Sequence, residues 1–307
     1  MNISTTKKEL QTAFSKLIKT SQTRSQNPLI NYTYISSGAH GVTLHSTDLE
    51  VGIKTNITAS VNTDGEGLFP TSELNDIISV IDEGRVDIEI AGPHINIKSE
   101  KGTSFDIPTL PFQEYPKVPE NKHETIYNID TSELKKILDA MTYAINKDQL
   151  KPALGGALFS FSEEGLNFVS TDGHRLVVIT KKNDSNIMED FIIPKKYLNM
   201  LSAFIQGQKE SSLIFSNDHV FINNDGDILY SRLIDEKYPN YNAVIPQENP
   251  YVLKLQKEDF LNSIKATSIA TNKNTNQISL NLALGEVFLK SINQSESKTV
   301  HAPLKTA

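Results

Sequence analysis

The sequence predicts an α+β fold built from three copies of one domain, each with two helices packed on an antiparallel sheet, the third copy incomplete. Three observations predict it: markers that recur about 124 residues apart, an amphipathic helix opening every copy, and alternating apolar stretches between helices.

The markers keep one order and one period. Ser46-Thr47-Asp48 recurs as Ser170-Thr171-Asp172, and Pro28-Leu29 recurs as Pro152-Ala153-Leu154. Phe69-Pro70 recurs as Ile193-Pro194, and Glu114-Tyr115-Pro116 as Lys237-Tyr238-Pro239. One match could be chance; four in register are a repeat.

The opening helix follows from spacing. Leu10, Ala13, Phe14, Leu17 and Ile18 share one helical face, and so do Leu134, Ile137, Leu138, Met141 and Ile145. A second helix follows the repeated proline, whose fixed φ and missing N–H suit a first-turn position. It carries Leu74, Ile77, Ile78 and Ile81 in one copy, and Leu198, Leu201 and Ile205 in the next. Val86, Ile88 and Ile90, then Ile95 and Ile97, alternate as half-buried strands do. Asn223-Asn224-Asp225-Gly226 signals a hairpin turn and hence antiparallel pairing. A third copy begins near Val252, with a helix opening at Gln256–Phe260 and strand patterning from Asn276 to Asn281. Phe288–Asn293 stands where the Ser-Thr-Asp segments stood. The expected division is 1–124, 125–248 and 249–307. On the same period the third copy would need roughly 65 residues more.

Composition narrows the function classes. At 307 residues, 38% hydrophobic and 22% charged, the chain can bury two or three ordinary cores. Cysteine is absent, which excludes disulfides, thiolate catalysis and cysteine-based metal sites. No apolar run has the length of a membrane span, and Met1–Lys8 lacks a signal-peptide core, so a soluble cytoplasmic protein is expected. The seven histidines, at 40, 45, 94, 123, 174, 219 and 301, show no helical ligand spacing. No glycine-rich phosphate loop and no nucleophile elbow occur, so no catalytic residue, metal or cofactor is expected.

The net charge of −7 speaks against a nucleic-acid partner only if it is spread evenly. It is not. Residues 5–20 carry +3, 131–147 +1, 194–209 +3, 256–273 +1 and 71–85 −3, a total of +5 that leaves −12 for the rest. Basic helices in an acidic protein suit phosphate attraction without base readout. Lys8, Lys16 and Lys19 point away from the apolar stripe of the first helix, as Lys135 and Lys136 do in the second copy. Lys147, Lys151, Lys195 and Lys196 are further DNA-facing candidates. Any one lysine opposite an apolar stripe is ordinarily a solvated surface group; the collective bias favours a DNA-facing surface. Glu73, Asp76, Asp82 and Glu83 depart from the pattern and belong away from phosphate.

Thr171-Asp172-Gly173-His174-Arg175-Leu176 follows Leu154-Gly155-Gly156-Ala157-Leu158-Phe159 and precedes Tyr238-Pro239-Asn240-Tyr241 and Val244-Ile245-Pro246. This ordered set, with the repeat period, resembles the bacterial sliding clamp family, the beta subunit of DNA polymerase III. Leu110-Pro111 with Tyr115-Pro116 resembles the matching segment of the family's first domain. The resemblance covers essentially the whole chain and fades towards its end.

The resemblance implies a DNA clamp fold in each domain and a head-to-tail homodimeric ring, helices lining the hole and sheets outside. Such a ring tethers a polymerase to duplex DNA by topology, without sequence preference. The partners implied are the DNA polymerase III alpha subunit, a clamp loader and repair polymerases, docking through clamp-motif peptides into one hydrophobic cleft per protomer. Leu154, Thr171, Gly173, His174, Arg175, Leu176, Pro239 and Val244 match positions lining that cleft, and Arg24 matches a basic loop position that approaches DNA. On the residues alone, Thr-Asp-Gly-His reads equally as a plain turn, and Leu154 and Leu176 equally as core. Ala243 stands where the best-known members have arginine, and Thr275 near an aromatic position. A short third domain leads to the expectation of weakened dimerisation or peptide docking. The rival is a repeat-built scaffold or binding module unrelated to DNA, which explains neither the basic helices nor the cleft set.

Overall fold

A computed structural model describes residues 1–21, 27–38, 41–120, 125–146, 150–272, 274–283, 286–293 and 298–304. They fall into two compact units, Met1–Asn240 and Tyr241–Ala307.

The first unit contains one run of elements twice. The first run is β1 (Asn2–Thr6), α1 (Lys7–Leu17), β2 (Tyr32–Gly38), β3 (Gly41–Thr47), β4 (Val51–Ile57), β5 (Ser60–Thr63), β6 (Gly65–Pro70), α2 (Thr71–Val80), β7 (Arg85–Ala91), β8 (His94–Ser99) and β9 (Ser104–Pro108). The second is β10 (Thr125–Asp130), α3 (Thr131–Met141), β11 (Gly156–Ser162), β12 (Gly165–Thr171), β13 (Leu176–Lys181), β14 (Asp190–Pro194), α4 (Lys195–Phe204), β15 (Glu210–Phe215), β16 (His219–Asn224) and β17 (Asp227–Arg232). The order matches element for element except at β5, which no described strand of the second run answers.

Local chemistry sets the helix starts. Thr6 accepts a hydrogen bond from the Glu9 amide at 3.2 Å, and Asp130 accepts from the Glu133 amide at 3.0 Å, so each opening helix is capped by the last residue of its strand. The predicted stripes turn inward: Leu10, Ala13, Phe14 and Leu17 are buried, as are Leu134, Ile137, Leu138 and Met141. Details at the helix ends differ from the sequence reading: Ile18, Ile81 and Ile205 stand one residue past α1, α2 and α4, and Ile18 is only half-buried. Ile145 lies beyond the end of α3, after a short 3-10 turn (Thr142–Ala144), yet still packs in the core. Pro70 and Pro194 do not start the first helical turn; they end β6 and β14 and occupy the capping position of α2 and α4. With φ of −64° and −59° and ψ of 106° and 142°, each keeps the extended shape its strand needs before the helix begins.

All described strand pairs of this unit are antiparallel. One sheet, ordered β10-β15-β16-β17-β4-β3-β2-β6, runs through both copies. Its seam joins β17 to β4, with Leu229 opposite Ile53 and Tyr230 opposite Gly52. The hydroxyl end of the Tyr230 ring lies against Gly52: a β-carbon there would sit 2.2 Å from Cζ and 2.3 Å from the hydroxyl oxygen, so glycine leaves the ring its place. The other sheets are β5-β1-β7-β8-β9 and β13-β12-β11-β14. A single apolar core continues across the two copies, and the seam removes two sheet edges that would otherwise be open.

The second unit holds α5 (Lys257–Ser268), β18 (Ser279–Ala283), β19 (Glu286–Asn293) and β20 (Lys298–Pro303), the strands forming an antiparallel sheet in that order. This is the helix and three-strand order of α1-β2-β3-β4 and α3-β11-β12-β13. The Ser291 hydroxyl donates to the Thr267 carbonyl at 2.7 Å and ties sheet to helix. Ala270, Leu289 and Leu304 are buried, whereas Tyr251, Val252, Ile269 and Leu282 are exposed. Among the described residues no helix is long and apolar enough to cross a membrane.

Candidate functional site

Five predicted cleft residues meet in the turn between β12 and β13, where Thr171 pairs with Leu176. The turn holds its own shape. The Gly173 amide donates to the Thr171 hydroxyl oxygen at 3.1 Å, and that hydroxyl donates to the Arg175 carbonyl at 2.7 Å. Asp172 Oδ1 accepts from the amides of His174 and Arg175, both at 3.0 Å, and Oδ2 accepts from Arg175 Nε at 2.9 Å. These bonds, the His174 amide first, hold the Asp172 carboxyl below its ordinary range. Gly173 sits at φ +88°, in the left-handed region, with open space where a side chain would stand. His174 and Arg175 are thereby presented to solvent on a rigid turn.

Arg175 also lies over the Tyr143 ring, 5.7 Å from its centroid, a cation–π geometry that fixes the guanidinium plane. Its Nε is committed to Asp172, so outward hydrogen bonding falls to the terminal amino groups. Leu154 is buried at the end of a 3-10 turn (Pro152–Gly155), and Pro239 is exposed beside buried Tyr238, both in the first unit. Val244 lies in the second unit and is 70% exposed, with exposed Ala243 beside it. Sequence reasoning passed over Asp172 as the organiser of the turn and Tyr143 as the platform for Arg175. The signal for Tyr143 was an aromatic residue just past a helix end and off its apolar stripe. Among the described residues no three histidine or carboxylate groups are placed to hold a metal ion.

The lysines divide into two sets. Lys8, Lys19, Lys136 and Lys151 are exposed and Lys135 is half-buried, and none of the five forms an ion pair among the described residues. Three other predicted DNA-facing lysines have partners within the protein, a commitment that the sequence does not reveal. The Lys16 ammonium lies 2.5 Å from Asp227 at the start of β17. Lys196 is ion-paired with the fully buried Asp48 carboxylate, and Lys195 donates to the Ile145 carbonyl at 2.9 Å. The cause is tertiary: Lys16 and Lys196 each meet a carboxylate of the other copy at the seam, and a buried charge needs its partner. Lys16 and Lys19 also line a small cavity of about 100 Å³ with Met200, Ala203 and Phe204 of α4, so α1 and α4 are neighbours there. Arg24 and Lys147 lie outside the described residues.

Comparison with known proteins agrees along the chain. Residues 1–119 match the profile of the DNA polymerase III beta subunit N-terminal domain, and residues 128–240 match that of its central domain. The Beta sliding clamp of Treponema pallidum is 23% identical over 286 residues, covering 91% of this chain and 77% of that protein. The Rickettsia bellii Beta sliding clamp is 26% identical over 271 residues, covering 82% and 68%. Among solved structures, the C. crescentus beta sliding clamp superposes with a TM-score of 0.92 at 22% identity, over 100% of this chain and 84% of that one. The Bacillus subtilis DNA polymerase sliding clamp gives 0.91 at 21%, with the same coverage.

Proposed function

The chain belongs to the DNA polymerase III beta subunit family, and on that premise we propose that it is a non-catalytic processivity factor, a clamp that encircles duplex DNA. The observation that carries the proposal is the succession of two different domain profiles of one family, in family order, over 1–119 and 128–240. Each of 1–124, 125–248 and 249–307 is one clamp domain in this reading, and a head-to-tail homodimer closes the ring. The working place is the cytoplasm, where a bacterial chromosome is copied.

Such a clamp holds DNA by enclosing it, so its contacts should be weak and indifferent to sequence. Lysines on or beside the opening helices supply that: each attracts phosphate by charge, releases counterions and reads no base. Lys8, Lys19, Lys135, Lys136 and Lys151 are the groups for this role. Arg24 stays a candidate by resemblance, and Lys147 by the charge pattern of the sequence. The turn at Thr171–Leu176 with Leu154 and Pro239, all in the first unit, is the docking site for clamp-motif peptides of the polymerase alpha subunit, a clamp loader and repair polymerases, and Val244 of the second unit stays a candidate by resemblance alone. A rigid turn with a fixed arginine suits a peptide, because little ordering remains to be done on binding.

The test compares retention on nicked circular and linear duplexes of one sequence after loading by a clamp loader. A clamp stays on the circle and runs off the line. Equal loss from both overturns the proposal and favours a scaffold without topological hold.

A further inference from the structure

The two copies in the first unit differ at one sheet edge. In the first, β5 pairs antiparallel with β1, Ile3 opposite Val61 and Ser4 opposite Ser60, and closes that edge. On the repeat, β10 answers β1 and residues 184–187 answer β5. Yet among the described residues β10 pairs only with β15, and its other edge is open along six residues.

One residue change goes with the difference. Asn183 stands at the repeat position of Ala59. Its side-chain amide donates to the Ser162 and Ile187 carbonyls at 2.9 and 3.0 Å, and its oxygen accepts from the Ser185 amide and hydroxyl at 3.1 and 2.6 Å. Further along, the Phe161 amide donates to the Glu189 carbonyl at 3.0 Å. The stretch 183–189 is thus curled back towards β11, and alanine in the first copy can make none of the asparagine bonds.

What remains beside β10 is a groove of about 810 Å³, lined by β10, Glu133, Lys181, Lys182 and residues 184–189. Its four carboxylates, on Asp130, Glu133, Asp184 and Glu189, outnumber its two lysines. Both lysines are already ion-paired, Lys181 with Glu133 and Lys182 with Asp184. Ile126 and Met188 expose apolar surface in the same groove, at 49% and 57%.

We propose that this groove docks an extended segment of a partner protein, basic and apolar by turns, which adds to the free edge of β10 as β5 adds to β1. The first copy shows that this sheet edge accepts a short antiparallel strand. The surplus of carboxylate selects a cationic one, and Ile126 and Met188 receive its apolar side chains. Main-chain hydrogen bonds to β10 supply the affinity, and alternate side chains the selectivity. The site is built from residues 125–189 and does not depend on the DNA-binding reading.

The probe is an acetylated, amidated peptide alternating lysine and valine over seven residues, added to the full chain. Hydrogen exchange at the amides of 125–130 should slow at saturation. A peptide N-methylated at every residue, which keeps the charge but offers no N–H on either edge to pair as a strand, should not bind. Glu189→Lys, which reverses one exposed charge, should weaken the probe about fivefold with the thermal midpoint unchanged. Unaltered exchange at 125–130, or equal binding of the N-methylated peptide, overturns the proposal. So does protection of 125–130 that rises with protein concentration in the absence of peptide, since the occupant is then a second copy.

Discussion

The His45 imidazole and the Tyr230 hydroxyl, 185 positions apart in the chain, share a hydrogen bond of 2.8 Å across the β4–β17 seam. Tyr115 packs edge-on against His45 at 5.7 Å and donates its own hydroxyl to the Tyr32 carbonyl at 2.8 Å. Burial, with a lesser push from Lys54, lowers the His45 pKa from 6.5 to about 4, and burial raises that of Tyr230 to about 12. Between the ion pairs of Lys16 and Lys196, this part of the seam is therefore made of neutral groups.

That depression makes stability depend on pH. The unfolded chain takes a proton on His45 near pH 6.5, while the folded one refuses it down to about 4. The contribution is complete above pH 6.5 and lost as pH falls from there towards 4, with a span on the order of 3 kcal/mol. Thermal melts from pH 7.5 to 4.5 should show a steeper fall for the native protein than for His45→Gln. Carboxylates titrate in both proteins, so the difference between the curves is the reading. Parallel curves would remove His45 from the account.

Gly52 is the tightest point of the seam. Gly52→Ala should cost about 2–4 kcal/mol in urea unfolding, because the new methyl drives into the Tyr230 ring. Adding Tyr230→Ala should recover part of the loss, and strict additivity of the two changes would contradict the contact.

Asp48 is buried, accepts from the Glu50 and Val51 amides at 3.0 and 2.8 Å, and faces the Lys196 ammonium. Lys196→Ala should destabilise by about 3 kcal/mol, since the carboxylate stays buried without that countercharge. Lys8→Ala, on an exposed position, should stay within about 0.5 kcal/mol. Chemical denaturation of the two variants separates them.

The same division shows in DNA binding. Replacing Lys8, Lys19 and Lys136 together should flatten the dependence of log affinity on log salt by roughly 0.9 for each lysine that meets phosphate. Lys16→Ala should leave that slope unchanged. Anisotropy on two duplexes of unrelated sequence checks both statements, and the loss should be the same on each.

Asp172→Ala removes three bonds that shape the Thr171–Leu176 turn and frees Arg175 from its fixed plane. A clamp-motif peptide should bind about tenfold more weakly, chiefly through faster dissociation. Unchanged dissociation would place the peptide elsewhere.

Much of the fold was legible because its signals are local. The stripe of Leu10, Phe14 and Leu17 specifies a helix and the face it buries, and Ile95 with Ile97 specifies a strand, wherever the rest of the chain goes. Thr6 and Asp130 cap their helices from inside the same short segment. The proline positions were misread by one residue because strand and helix compete for the same φ, and only the sheet pairing of β6 and β14 decides which of them Pro70 and Pro194 finish. At the candidate site the six residues from Thr171 to Leu176 were readable as one turn. The platform under Arg175 was not, since Tyr143 comes from a different element.

By itself the sequence determined the repeat, the α+β class, the inward face of each helix and the turn at Gly173, all consequences of periodicity and of residues a few positions apart. Only the tertiary structure decided that Lys16 and Lys196 spend their charge on Asp227 and Asp48, and that Tyr230 lies on Gly52 beside His45. It likewise decided that β10 stays uncovered beside Asn183, where β5 pairs with β1 beside Ala59 in the first copy. The physical reason is common to these cases. A charge, a ring or a carboxamide is free or committed according to what stands within a few ångströms of it, and folding brings those neighbours from far along the chain.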